Sequence, residues 1–588
     1  MKRNFEKSWG AELVEGGTRF RLWAPAQQRP VLRAEGADHP MEAVGEGWFE
    51  VTVAGLGAGA SYAFALDSGQ VVPDPASRGQ VGDVHGPSRV IDPTVFDWSP
   101  WSGRDWEEAV ILEVHIGTFT PQGTFRAAIE KLPHLARTGI TALEIMPVAQ
   151  FAGNRGWGYD GVLLYAPHPA YGTPDDLKAL IDAAHREGLM VLLDVVYNHF
   201  GPEGNYLSAY APAFFDPDRQ TPWGDAIAYG RDPVRRFFIE NALYWLEEFH
   251  LDGLRLDAVD HVLDASEPEI LADIAMQVRE RFPRAHLTTE DNRNITHLHE
   301  RDESGKTRLY SGEWNDDFHN VAHVIATGET EGYYADFAED HWPKFGRALA
   351  EGFIWQGEHS AHAGAPRGAP SAHLPPTAFV DFLQNHDQTG NRAFGERLLS
   401  LSTPAMVRAL MTIHLLSPHI PLLFMGEEWG ETRPFAFFTD FEGDLARAVR
   451  EGRRREFASF AGFQDDTERQ SIPDPNARGT FEASRIDWSR ATSDEGRDWL
   501  DFTSSLLALR QSRIVPHLKG AAGHAGRLLL AEEGLIAVDW HLNGAVLALR
   551  ANLSDGKADL PDAAGDCIHD SFGTCAPHYV SVWLEVAA

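Results

Sequence analysis

An α/β chain built on a (β/α)8 barrel, with one β-sandwich before it and a second after it, is the fold this sequence predicts. From residue 110 onward, short apolar runs alternate with amphipathic stretches of helical period, the pattern of parallel strands joined by crossover helices. Three of those runs end in a carboxylate: Gly253-Leu-Arg-Leu-Asp257, His286-Leu-Thr-Thr-Glu290 and Phe379-Val-Asp-Phe-Leu-Gln-Asn-His-Asp387. Barrel strands deliver functional side chains to their C-terminal rim in this way, and acids on separate strands suit the cleavage of a glycosidic bond. A length of 588 residues exceeds what one core supports, about 250 to 300 residues, so two or three domains are expected.

The opening segment reads as all β. Thr18-Arg-Phe-Arg-Leu-Trp23, Gly47-Trp-Phe-Glu-Val-Thr-Val53 and Ser61-Tyr-Ala-Phe-Ala-Leu66 alternate apolar and polar residues between Gly and Pro breaks. We assign 1–105 to an immunoglobulin-like β-sandwich, whose Pro- and Asp-bearing stretch from Val71 to Trp101 is an extended connection.

The catalytic barrel is assigned to 106–490. Val110 to Ile116, Ala142 to Met146 and Leu189 to Val196 are continuous enough for strands buried on both faces. The helix of 173–188 has Thr173 as N-cap, Pro174 at its first position, Asp175 and Asp176 in the first turn and Gly188 at its stop. A second helix starts at Asp232-Pro233, carries Val234, Phe237, Phe238, Trp245 and Phe249 at packing positions, and leads into the Asp257 strand. Further strands are expected near Leu309, Phe379 and Pro421 to Met425. The stretch 452–488 is long for a barrel loop, so it either walls the site or crosses to the last domain. Residues 491–588 hold a terminal helix from Trp499 to Arg510 and then strands at 528–531, 534–540, 545–550 and 579–585, a C-terminal β-sandwich.

Composition excludes several functions. Lys and Arg number 51 against 86 Asp and Glu, a net charge of −35, which repels nucleic-acid backbones and anionic lipid. The run Arg453-Arg-Arg455 is read as a solvated face without function. No stretch approaches the roughly 20 apolar residues of a membrane span. The N-terminus lacks an apolar signal core, so a cytoplasmic location is expected. Cys567 and Cys575 are read as reduced bystanders.

Four motifs resemble the α-amylase superfamily, glycoside hydrolase family 13, in order: Asp194-Val-Val-Tyr-Asn-His199, Asp252-Gly-Leu-Arg-Leu-Asp257, Thr288-Thr-Glu290 and Leu383-Gln-Asn-His-Asp387. The resemblance implies Asp257 as nucleophile, Glu290 as general acid and Asp387 as stabiliser of the distorted sugar, in a retaining double displacement. Independent physical reasons accompany these roles. Arg255, two residues before Asp257 on one strand, shares its face and would keep it ionised. Glu290 must be protonated near neutral pH, which requires a raised pKa. Asp291 should point to the opposite face, in a surface or structural role. By the same resemblance His199 and His386 hydrogen-bond the sugar at the cleavage position and Tyr159 stacks beneath it, whereas Trp157 is read as packing. Asn198 corresponds to a calcium ligand in many α-amylases; the remaining ligands are not recoverable, and no metal or cofactor is assigned.

The acids do not choose the acceptor. Phe151 to Asp160, Gly312 to Asn320, Gln384 to Asn391 and Ile472-Pro-Asp-Pro resemble the maltooligosyltrehalose trehalohydrolase family, and with the flanking β regions the likeness spans nearly the whole chain. It implies hydrolysis of the α-1,4 bond beside a terminal trehalose, with maltooligosyltrehalose as substrate, trehalose and maltooligosaccharides as products, and a monomer. Such an enzyme needs a pocket that ends after two glucose units. Asp260, Trp314, Asn315, Asp316, Gln388 and Asn391 are the candidate substrate contacts, with Trp314 to Asp316 just beyond the sixth strand, and Glu427 and Glu428 could be rim residues. The alternatives are a 1,4-α-glucan branching enzyme, whose usual run after Trp-Asn is more apolar than Asp-Asp-Phe-His, and a non-catalytic glycan-binding protein, against which the intact acids argue.

Overall fold

The computed structural model describes residues 7–459, 465–571 and 576–587. At its centre is a closed barrel of eight parallel strands in chain order: β1 (Ile111–Val114), β2 (Ala142–Ile145), β3 (Met190–Val195), β4 (Gly253–Leu256), β5 (His286–Thr289), β6 (Gly312–Trp314), β7 (Phe379–Phe382) and β8 (Ile420–Phe424). β8 closes on β1 through the register Ile111↔Leu422. All residues of these strands are buried, which is why they read as unbroken apolar runs rather than alternating ones. β6 lies a few residues beyond the Leu309 expected for it, and at three residues it is too short for hydropathy to mark.

Helices cover the barrel: α1 (Leu132–Thr138), α2 (Pro174–Arg186), α3 (Asp232–Glu248), α4 (Ile270–Arg281), α5 (Asp316–Thr327), α6 (His341–Glu351), α7 (Pro404–Leu416) and α8 (Asp494–Leu509). α2 starts as its sequence dictates: the Thr173 hydroxyl accepts from Asp176 N at 3.2 Å while Thr173 N donates to the Asp176 carboxylate at 2.9 Å, a reciprocal capping box. Between β5 and β6 the described residues make only a 3-10 turn at His297–His299. The terminal helix runs on into a π turn at Arg510–Ile514, where the buried Arg510 donates to the carbonyls of Leu415, Ser417 and His419.

The N-terminal β region has two facing sheets. One orders Gly10–Val14, Gly17–Trp23, Trp48–Ala54 and Glu42–Gly45; the other is built on Ala37–Pro40, Val31–Ala34, Ser61–Ala65 and Val71–Val72. At the far end the described strands form one antiparallel sheet of five, Gly526–Glu532, Leu535–Leu542, Ala545–Asn552, Tyr579–Val586 and Asp566–Asp570. Its second layer is helical where a second sheet was expected: α6 lies against its first two strands, and Trp540 Nε1 donates to Leu349 O at 2.9 Å. Cys567 is exposed, and Cys575 lies outside the described residues.

One member of the arginine run departs from its expected solvated role, while Arg454 is half-buried and Arg455 exposed. Arg453 is buried and its Nη2 donates to the carbonyls of Gly390 and Arg392, both at 2.8 Å, so it braces the loop after β7. The segment after it packs on the loop that follows β8 and contributes no residue to the cavity at Glu290: Thr439 N donates to Pro475 O, and Asn476 Oδ1 accepts from Thr439 and Phe441.

Candidate active site

The site is organised by one guanidinium. Arg255 on β4 is wholly buried; its Nη1 donates to Asp257 Oδ1 at 2.8 Å and Asp194 Oδ2 at 2.7 Å, and its Nη2 to Glu290 Oε2 at 2.7 Å. Strand geometry forces this: Arg255 and Asp257 share a face at a spacing of two, and Asp194 stands directly beside Arg255 in the β3–β4 register. The guanidinium also lies over the Trp314 ring, 4.1 Å from its centroid. After Asp257 the chain turns sharply, with Ala258 at φ +40°, a left-handed conformation rare for a residue with a Cβ. That turn aims Ala258 N at Glu290 Oε2, 3.1 Å away.

Electrostatics separate the acids. Burial raises Asp257 to about 6, with Arg255 opposing and the Asp194 and Asp387 charges adding to the rise. Burial raises Glu290 further, to about 8, against Arg255 and with help from Asp257 and Asp387. Asp387 is also desolvated, yet the charge of His386 beside it, with Arg255 and a 3.1 Å bond from Asn391 Nδ2, brings it below its ordinary value. Burial works against a charged His386, but Asp387 and Glu113 flank the ring and hold it well above the usual histidine range. The Glu113 carboxylate takes both His386 Nδ1, at 2.5 Å, and His386 N, at 2.9 Å.

Tyr159 lies nearly parallel to the His386 ring, 4.9 Å between centroids, and donates to Asp194 Oδ2 at 2.7 Å. His199 faces the exposed Trp223 at 4.1 Å and 8°, and burial lowers it to about 4, so it is neutral at pH 7. Asp316, Gln388 and Asn391 line one cavity of about 400 Å³ together with Glu290 and Asp387. Within it Gln388 Nε2 donates to Asp316 Oδ1 at 3.0 Å, and burial plus the Glu290 and Asp387 charges push Asp316 up to about 7. Asp260 is not part of that lining; it sits on the turn Val259–His261 beside His261.

Several side chains depart from their expected places. Trp314 is the last residue of β6, buried beneath Arg255 rather than facing the cavity. Asn315 is also buried, its amide donating to Asp381 Oδ1 at 2.8 Å and Gly352 O at 3.1 Å. Glu427 and Glu428 are buried, not rim residues, and Glu427 accepts from Phe424 N. Asp291 is a structural group, bound bidentately by Arg293, Nε to Oδ1 and Nη2 to Oδ2. The Asn198 amide is engaged by His199 Nδ1 and Ala258 O, and among the described residues no group of three or more His, Cys, Asp or Glu is placed to hold a metal ion. Sequence reasoning missed Glu113 and Asp194 as partners of the site, although their position within β1 and β3 could have suggested them. It also missed Trp223 and Asn292 on turns, and Tyr333, Asp336 and Arg367 on elements of three to four residues, all too short to carry a periodic signal.

A parallel barrel of eight that gathers its rim acids around one buried arginine is the framework of the α-amylase class of glycoside hydrolases. The family model described as the alpha amylase catalytic domain matches residues 85–220 and 222–499, and one described as a domain of unknown function matches 523–579. A malto-oligosyltrehalose trehalohydrolase of Deinococcus radiodurans is 43% identical over 88% of this chain and 86% of its own length. A solved structure from Salmonella typhimurium, described as a candidate alpha amylase, is 56% identical with a TM-score of 0.96, covering 99% of this chain and 100% of that one. A 1,4-alpha-glucan branching enzyme of Streptomyces avermitilis is 37% identical, over only 42% of this chain and 46% of its own. The chain belongs to the malto-oligosyltrehalose trehalohydrolase family of alpha-amylase-type enzymes.

Proposed function

We propose that this chain hydrolyses the α-1,4 bond joining a maltooligosyl chain to a terminal trehalose, releasing α,α-trehalose and a maltooligosaccharide. The observation that carries this reading is the position of the 400 Å³ cavity: Glu290 and Asp387 line it and Asp257 does not. A cavity on the acid's side receives the leaving group, and here the leaving group is trehalose. Its volume falls within the roughly 300 to 1,000 Å³ of small-ligand pockets. Its polar wall of Asp316, Asn320, Gln388 and Asn391 suits hydroxyls, and family membership supports the same substrate.

In this reading Asp257 Oδ1 is held by Arg255, leaving Oδ2 to attack the anomeric carbon. Both donors to Glu290 converge on Oε2, so Oε1 carries the proton. As the C1–O bond breaks, that proton passes to O4 of the departing trehalose. Glu290, now a carboxylate, takes a proton from water, whose oxygen attacks C1 and frees Asp257. Charged His386, neutral His199 and Asp387 hold the sugar hydroxyls, and Tyr159 meets the apolar ring face.

Chromatography of products from maltopentaosyl-trehalose and from plain maltoheptaose tests the reading. Trehalose as the main product, with little cleavage of maltoheptaose, is expected; new α-1,6 branches instead would identify a branching enzyme. We further propose a monomer working in the cytoplasm, divided near residues 105 and 490. No helix among the described residues is long and apolar enough to cross a membrane.

A further inference from the structure

Part of the lining of the Glu290 cavity, Ser360, His362, Ala363 and Arg367, comes from a hairpin, Gln356–Ser360 paired with Ala365–Gly368. Residues 357–359 and 361–366 are exposed, so little apolar burial holds this hairpin in place and polar contacts must do so. At its base, the buried Asp317 accepts from Ile354 N at 2.8 Å and Trp355 N at 3.1 Å and pairs with Arg367 at 3.1 Å. At its tip one carboxylate takes over. Ser360, buried in an otherwise exposed hairpin, donates to Asp336 Oδ2 at 2.5 Å, and His362 N points at the same group, 3.1 and 3.2 Å from its two oxygens. Asp336 is itself fixed, since it stands on the short helix Ala335–Ala338 whose Phe337 is buried, and Lys344 Nζ donates to its carbonyl at 2.8 Å.

We infer that Asp336 is a positioning residue that pins the hairpin tip as the end-stop of the cavity, limiting the leaving group to two sugar rings. This rests on the reading of trehalose release. The hairpin shares the cavity lining with Asp387, Gln388 and Asn391, and among the described residues no hydrogen bond or ion pair joins it to Asp257, Glu290 or Asp387; its placement therefore governs which leaving group fits and leaves the bond-breaking groups in place. A chain longer than two sugars past the cleaved bond must displace the tip, and the Asp336 bonds resist that displacement.

The test compares wild type, Asp336→Ala, Asp336→Asn and Ser360→Ala, measuring kcat and KM on maltopentaosyl-trehalose and on maltoheptaose. The kcat/KM ratio between the two substrates should fall about ten-fold in Asp336→Ala, the factor carried by one charge-assisted hydrogen bond, through a rise of kcat/KM on maltoheptaose as leaving groups longer than two sugars gain entry. Ser360→Ala should move it in the same direction, and Asp336→Asn, whose carbonyl still accepts from Ser360, should recover most of it. An unchanged ratio in both alanine variants overturns the inference, as does an equal fall of kcat on both substrates. A wild type with no preference for the trehalose end rejects the functional reading itself, a separate result visible before any variant is made.

Discussion

Arg255 shows how one side chain sets several protonation states. Its charge sits within hydrogen-bond reach of Asp194, Asp257 and Glu290, yet Asp257 stays near 6 and Glu290 near 8, because burial raises both against it and neighbouring carboxylates add to the rise, Asp194 and Asp387 for Asp257, Asp257 and Asp387 for Glu290. Catalysis needs Asp257 ionised, hence pH above about 6, and Glu290 protonated, hence pH below about 8. We expect kcat/KM to trace a bell with limbs at those values; a flat profile from pH 5 to 9 would contradict the pairing. Asp257→Ala should lower kcat by about 10⁴-fold or more with the fold intact by circular dichroism. Glu290→Gln keeps an acceptor for Arg255 and Ala258 but cannot yield a proton. It should lose about 10³-fold in kcat and the alkaline limb together while KM changes little, and normal turnover by this variant would remove Glu290 from its role.

At the scale of elements, what the sequence made legible was whatever carried a period or a cap. β3, α2 with its capping box, α3 and β4 all lie where their residues put them, since burial on two faces and an N-cap both leave local marks. β6 did not, and with it went the placing of Trp314 and Asn315: a shift of a few residues decides whether a side chain faces the rim or the interior. The hairpin bearing Ser360 and Arg367 was illegible for a different reason, because its contacts are to single polar atoms far along the chain. Gly390, at the end of the short helix His386–Gly390, shows how such an element is fixed by packing. A Cβ there would stand 2.1 Å from the Trp157 ring, and Trp157 meets His386 edge-on at 5.4 Å. Gly390→Ala should therefore cost about 1 to 3 kcal/mol of stability, and by displacing Trp157 it should also depress kcat/KM. Denaturant melts that match wild type would show the ring can yield without cost.

Across the whole molecule, the N-terminal β region is joined to the barrel by a core that belongs to both. Trp9 is fully buried; its ring meets Trp48 of its own region at 4.8 Å and Phe237 of α3 at 5.2 Å, and its Nε1 donates to Pro233 O at 3.2 Å. Arg78, on the connection between them, donates to Trp9 O and lies over the Tyr165 and Tyr244 rings at 5.0 and 5.6 Å. A shared core of this kind couples unfolding of the two parts. Trp9→Ala empties a site lined on both sides, and it should cost about 3 to 5 kcal/mol and lower the midpoint of the main thermal transition rather than split an early one from it. The catalytic pH limbs should not move, since none of the groups that set them touches Trp9. Calorimetry decides between the two arrangements: a separate low-temperature transition, with the main one unmoved, would mean that the β region folds apart from the barrel and that the aromatic contact joins two finished domains.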